Sequence, residues 1–299
     1  MNMEKPLLVI IAEAHPSGIE MMLIATGEMS ILTKEQSGRK KVVLDRSAGL
    51  DASKKWMRRI RDEVIEQETE LLRKEKITRL LVERPASREG KRLYAGFRLG
   101  KDLSVLRSGL RRENARLNAQ TMKEILDLFS ELGLWKPLLD TFMAHYRRLD
   151  ETSTQPIFAL SHVSIAAKAG ISDLVPVDDE KGFRQAGALL DAMYVLDQTI
   201  MQFCRESPVL EHEKLGADVR DKVMGEFRRI SAIVNRRIGS VDAEREAAMC
   251  RNILASFVPG SALLCGIEHL GPLERQLSQR FRVRSYKVGE SLLNSIERK

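Results

Sequence analysis

Leu7-Leu8-Val9-Ile10-Ile11-Ala12-Glu13-Ala14-His15 is the stretch from which the fold can be read. Six apolar residues follow one another without alternation. Such a run suits a strand of a parallel sheet covered on both faces. Glu13 and His15 come directly after it, where that strand must end. Short apolar runs of the same kind recur at Lys41 to Leu44, Ile77 to Val82, Pro156 to Leu160, Leu174 to Val177 and Ser261 to Cys265. Phe281 to Val288 instead alternates apolar with basic residues, as an exposed edge strand does.

Helical patterns separate these runs. Asp51 to Lys76 is a long amphipathic segment opened by Asp51, a good N-cap residue. Asn114 to Leu132 and Leu134 to Leu149 read as two helices broken at Gly133. Gln185 to Cys204, His212 to Ile238 and Asp242 to Phe257 follow. Strands alternating with helices at both ends of the chain predict an α/β fold with a largely parallel central sheet flanked by helices. The segments of about 103–149 and 185–238 carry almost no strand signal. They read as large helical insertions over the sheet within a single α/β domain spanning 1–299.

Composition limits the function classes. The chain has 299 residues, 43% of them hydrophobic and 30% charged, which suffices for a packed core. Cys204, Cys250 and Cys265 are odd in number and widely spaced, with no CxxC. A disulfide scaffold and a thiolate zinc ribbon are thereby excluded, and a reducing, cytoplasmic setting is expected. The run Leu7 to Ala12 is too short for a signal peptide, and no run of 18 apolar residues predicts a membrane span. Net charge is +7, with basic clusters at Arg107 to Arg116, Arg228 to Arg237 and Arg275 to Lys287. Acidic residues are interspersed, which suits a solvated basic surface. A nucleic-acid or anionic partner is the alternative, without a zinc finger, RNP-type strand or Gly-rich loop to support it.

Ligand sites of open α/β sheets lie at the carboxyl ends of strands. The residues following the successive runs are Glu13 and His15, then Glu83-Arg84, Ser161-His162, Asp178-Asp179-Glu180, and Gly266-Ile267-Glu268-His269. Three of the five histidines fall in this set. A histidine is a general base, an acid or a metal ligand at neutral pH, and neighbouring carboxylates orient it or hold a cation. Gly266 would allow close backbone approach. Each position also has an ordinary reading. Glu83-Arg84 suits a local ion pair, His162 a helix cap after Ser161, and Asp178 to Glu180 the acidic first turn of a helix. Cys265 reads as a buried strand residue.

One helix adds a further acid. Cys250, Ile253, Leu254 and Phe257 make an apolar face, and Glu246 lies four residues before Cys250 on the same stripe. A buried carboxylate needs a partner: Arg245, a histidine or a cation. Arg245, Met249 and Asn252 share the neighbouring strip.

In this order the motifs resemble the erythromycin esterase, ChaN and TraB/Tiki superfamily. Its members carry a first-strand Glu-x-His or Gly-x-x-His, a later strand ending in Glu, an R-E-x-x-M-x-x-N helix and a final Gly-x-x-His. The matching residues are Glu13 and His15, Glu83, Arg245-Glu246 with Met249 and Asn252, and Gly266 with His269, with Asp178 as a further acidic position. Ala12 departs from the Gly found there in many members, and both central insertions lie outside the likeness. The resemblance implies a hydrolase of ester or amide bonds acting on a small-molecule or peptide substrate. His15 or His269 would be the acid/base, with Glu13, Glu83 or Glu246 orienting it. Arg245 would stabilise an anionic intermediate, with Asp178, Asn252 and Gly266 in support. A divalent metal ion is the possible cofactor, with His15, Glu246 and His269 as candidate ligands. A haem- or metal-binding protein without turnover is the alternative from the same likeness. No G-x-S-x-G elbow is present to supply a serine nucleophile.

Overall fold

The computed structural model describes residues 4–14, 29–35, 38–42, 49–98, 103–131, 161–190, 192–193, 217–289 and 296–298. Two compact units are present. The first combines residues 1–113, 152–179 and 246–299, and the second combines 114–151 and 180–245.

The first unit is built on β1 (Leu7–Glu13), β4 (Arg79–Pro85), β5 (Asp173–Asp178), β6 (Ser261–Gly266) and β7 (Arg282–Val288). These five strands form one sheet in the order β5-β4-β6-β1-β7, and every pairing is parallel. The expected parallel α/β sheet is therefore present. The alternating segment does lie at an edge, as β7, with four of its seven residues exposed. Lys41 to Leu44 differs from expectation. The strand there is β3 (Gly38–Val42), which pairs antiparallel with β2 (Met29–Glu35) in a separate sheet completed by β8 (Ile296–Arg298). A short apolar run does not specify which sheet a strand joins. Pro156 to Leu160 lies outside the described residues.

Helices cover both faces of the parallel sheet. On one face, Val9, Ile11, Leu80, Val82, Ala262 and Leu264 pack with residues of α1 (Gly49–Lys74), α2 (Arg88–Arg98), α3 (Leu103–Glu131) and α4 (Ser161–Ala169). On the other, Leu8, Ile10, Ala12, Leu81, Leu263 and Cys265 pack with the end of α5 (Ala217–Ser256) and with α6 (Ile267–Leu277). Successive strand residues point to opposite faces, so uninterrupted apolar runs are what a doubly covered sheet requires.

In the second unit, residues 180–190 are helical and share ion pairs with its part of α3: Arg116–Glu180 at 2.9 Å and Arg184–Glu124 at 3.1 Å. Arg237 of α5 pairs with Glu131 at 3.2 Å. The break expected between His212 to Ile238 and Asp242 to Phe257 does not occur, since α5 runs through Gly239 for 40 residues. A lone glycine costs a helix about 1 kcal/mol, which is too little to end it. The expected break at Gly133 lies outside the described residues.

Candidate functional site

His269 stands in the first turn of α6, three residues after β6 ends, and is 1% exposed. Its two ring nitrogens face different carboxylates. Nδ1 is 3.1 Å from Glu246 Oε1, and Nε2 is 3.4 Å from Glu83 Oε1. Glu246 is buried on α5 beside Met249, Cys250 and Ile253, the stripe predicted from the helical period. Its partner is the histidine, which resolves the need for one.

Glu83 is placed by an irregularity in β4. Val82 pairs with Pro176 and Pro85 with Asp178, so Glu83 and Arg84 together oppose Val177 alone. Such a bulge frees side chains from the regular pleat and re-aims them. The Glu83 carboxylate accepts a hydrogen bond from the Gly266 N–H at 2.7 Å. The expected Glu83–Arg84 ion pair is not formed, because Glu83 is committed to Gly266 and His269 and Arg84 makes no hydrogen bond or ion pair among the described residues. Gly266 has φ −63°, which any residue adopts, but a Cβ there would collide with the Glu268 carboxylate, so the glycine does allow a close approach, and it contributes its N–H.

The other expected residues fall as follows. Asn252 donates from Nδ2 to the Val177 carbonyl at 2.8 Å, tying α5 to β5. Asp178 is fully buried and accepts from the Asp179 N–H at 2.7 Å. Arg245 belongs to the second unit, where it pairs with Asp242 at 3.0 Å and lies over the Phe183 ring at 5.6 Å. His15 lies outside the described residues.

Glu13 pairs in register with Gly266. The alternation of β1 carries its side chain to the face of Val9 and Ile11, opposite Ala12 and Cys265. There it meets an acid that the sequence reading missed. Glu68 of α1 is fully buried, and neither carboxylate oxygen has a hydrogen-bond partner among the described residues. Burial first, and then the charge of Glu13, raise the Glu68 pKa well above the carboxylate range. Val64, one turn before Glu68, packs beside Gly289, where the chain also meets the Ala14 carbonyl. This contact sets α1 against the end of β1. Glu68 stands on the same stripe as Val64 and Leu72, so the period that exposed Glu246 also reaches it.

His162 is not a helix cap. It is buried in the first turn of α4, and its Nε2 is 2.7 Å from the Tyr94 hydroxyl. Burial, with a smaller effect from the Arg84 charge, holds the imidazole pKa well below its ordinary value. The ring is therefore neutral at physiological pH. Cys265 is buried as expected, and burial, followed by Glu83, Glu268, Glu13 and Glu68, pushes its thiol well up. That environment suppresses thiolate chemistry. Among the described residues, no three His, Cys, Asp or Glu side chains converge as metal ligands, and both His269 nitrogens already face carboxylates. The described side chains do not by themselves fit a divalent ion.

Compared with known proteins, the chain matches no family model, no curated protein and no solved structure.

Proposed function

We propose that the protein is a hydrolase of ester or amide bonds in which His269 transfers the proton. The observation that supports this reading is the Glu246–His269–Glu83 arrangement at the carboxyl end of the sheet. With Nδ1–H donated to Glu246, Nε2 carries the lone pair. Its 3.4 Å separation from Glu83 is longer than a hydrogen bond of about 2.7–3.2 Å, so Nε2 is near Glu83 without being locked to it. A water entering beside Glu83 loses its proton to Nε2 as its oxygen attacks the carbonyl carbon. The resulting imidazolium has a carboxylate at each N–H, which is the charge distribution the two glutamates stabilise. Collapse of the tetrahedral intermediate breaks the bond to the leaving alcohol or amine, which takes the proton back from Nε2.

The test is hydrolysis of p-nitrophenyl acetate and of a generic peptide by the full chain and by His269→Gln. A loss of about 10²–10⁴ in kcat is expected on removal of a general acid/base. Glu246→Gln should lower kcat less and change its pH profile, because Gln still accepts from Nδ1–H but does not neutralise imidazolium. Unchanged hydrolysis in His269→Gln would sink the reading.

A further inference from the structure

The bulge in β4 presents two residues, and the mechanism uses only Glu83. Arg84 beside it is partly buried, and it has no hydrogen bond or ion pair among the described residues. Removing a guanidinium from water in part, without an acceptor, is unfavourable, and an anionic ligand would offset that cost. Among the described residues, the other arginines that are partly or fully buried all have acceptors: Arg61 with Asp62, Arg79 with Asp173, Arg107 with Ser164, Arg184 with Glu124 and Arg245 with Asp242.

The surroundings of Arg84 suit a ligand. The first turn of α2 is pressed against the end of β4, since a Cβ at Gly90 would lie 2.8 Å from the Pro85 carbonyl oxygen. One turn further along, Tyr94 places its hydroxyl 2.7 Å from His162 Nε2. Burial and then the Arg84 charge act on both of these rings, so the guanidinium is electrostatically linked to the pair. Neither ring brings a negative charge to neutralise it. Arg84 is thus a partly buried cation without an acceptor among the described residues, adjacent in the β4 bulge to the carboxylate that faces His269.

We propose that Arg84 binds an oxyanion, carboxylate or phosphate, of the molecule hydrolysed beside Glu83 and His269. The inference rests on the hydrolase reading for the reaction, but the anion site stands on Arg84 itself. It makes the substrate an acidic ester or amide. Arg84 then sets specificity, and a planar, bidentate partner is what a guanidinium favours.

Two probes separate the sources of the oxyanion: inorganic phosphate and acetate, each titrated by calorimetry into the full chain at constant ionic strength. Saturable binding of one of them is expected, and the tighter names the class. Arg84→Gln and Arg84→Met should each weaken it by about tenfold or more, as loss of a charge-assisted contact does. Arg84→Lys should fall between. No saturable binding of either probe by the unaltered chain overturns the proposal, and this holds even where a variant does not fold. Unchanged affinity in a folded Arg84→Gln also overturns it. His269→Gln tells the two readings apart. If it keeps anion binding and loses hydrolysis, both stand. If it keeps both while Arg84→Gln loses the anion, the anion site stands and the catalytic assignment fails. A steady-state comparison of p-nitrophenyl succinate with p-nitrophenyl acetate adds a KM readout. Arg84→Gln should raise KM for the anionic ester alone, and an equal effect on both esters counts against the proposal.

Discussion

Glu68 is the residue at which the energetics of this fold are most exposed to experiment. A carboxyl with no hydrogen-bond partner, buried beside Glu13, is stable only with its proton on. In the unfolded chain the same group titrates near pH 4.3. Its folded pKa is raised, so the folded state holds the proton more tightly. The stability tied to this proton is therefore fully present below the unfolded pKa of about 4.3 and is lost as pH rises through the folded pKa. Stability falls as pH rises above the unfolded value, until the folded pKa is passed. Glu68→Gln removes this dependence. Its melting temperature should match that of the unaltered chain near pH 4 and exceed it increasingly towards neutral and alkaline pH. The gain reads the pKa difference, at about 1.4 kcal/mol for each unit by which pH exceeds the unfolded value until the folded pKa is reached. Equal melting temperatures across that range would show that Glu68 is not desolvated as described. This residue also marks what sequence reading passes over. The spacing of Val64, Glu68 and Leu72 puts a carboxylate on the apolar stripe of α1 just as Glu246 lies on that of α5, so the helical period carries this signal although no strand end lies beside it in sequence.

At the scale of elements, the readable and unreadable parts divide on physical grounds. Uninterrupted apolar runs specified β1, β4, β5 and β6 because both of their faces are covered. The bulge in β4 was not legible, since it depends on the pairing of Val82 and Pro85 with β5 rather than on their own residue types. Nor was the bond between Tyr94 and His162, whose partners are 68 residues apart. The continuity of α5 through Gly239 is not legible either, because in sequence a glycine's propensity penalty and a helix stop look alike. The glycine yields a prediction. A Cβ at Gly239 would meet nothing within 4 Å, and its φ is not positive. Gly239→Ala should therefore stabilise the protein by about 0.5–1 kcal/mol, through helix propensity and lower unfolded-state entropy. Urea denaturation measures this directly, and a destabilised variant would mean that the helix is interrupted there in solution.

For the whole molecule the question is what the net charge of +7 is for. A surface evolved to follow nucleic-acid phosphates keeps its cations available, in a patch or stripe. Here each basic cluster has acids answering it. Arg116 pairs with Glu180, Arg229 with Glu226, Arg237 with Glu131 and Arg284 with Glu75. Exposed pairs contribute little to stability, about 0–1 kcal/mol each, but each sets a negative charge beside a cation and weakens the local field that a polyanion would meet. None of the described helices is long and apolar enough to cross a membrane. The excess is better suited to drawing small anions towards Arg84 than to holding a duplex, because steering acts through the summed field and needs no ordered stripe. Binding to duplex DNA across a salt series decides between these uses. The slope of log K against log salt is about −0.9 for each phosphate neutralised, and we expect about two or fewer. A slope corresponding to six or more would identify a nucleic-acid surface, and the Arg84 oxyanion would then have to be weighed against a backbone phosphate.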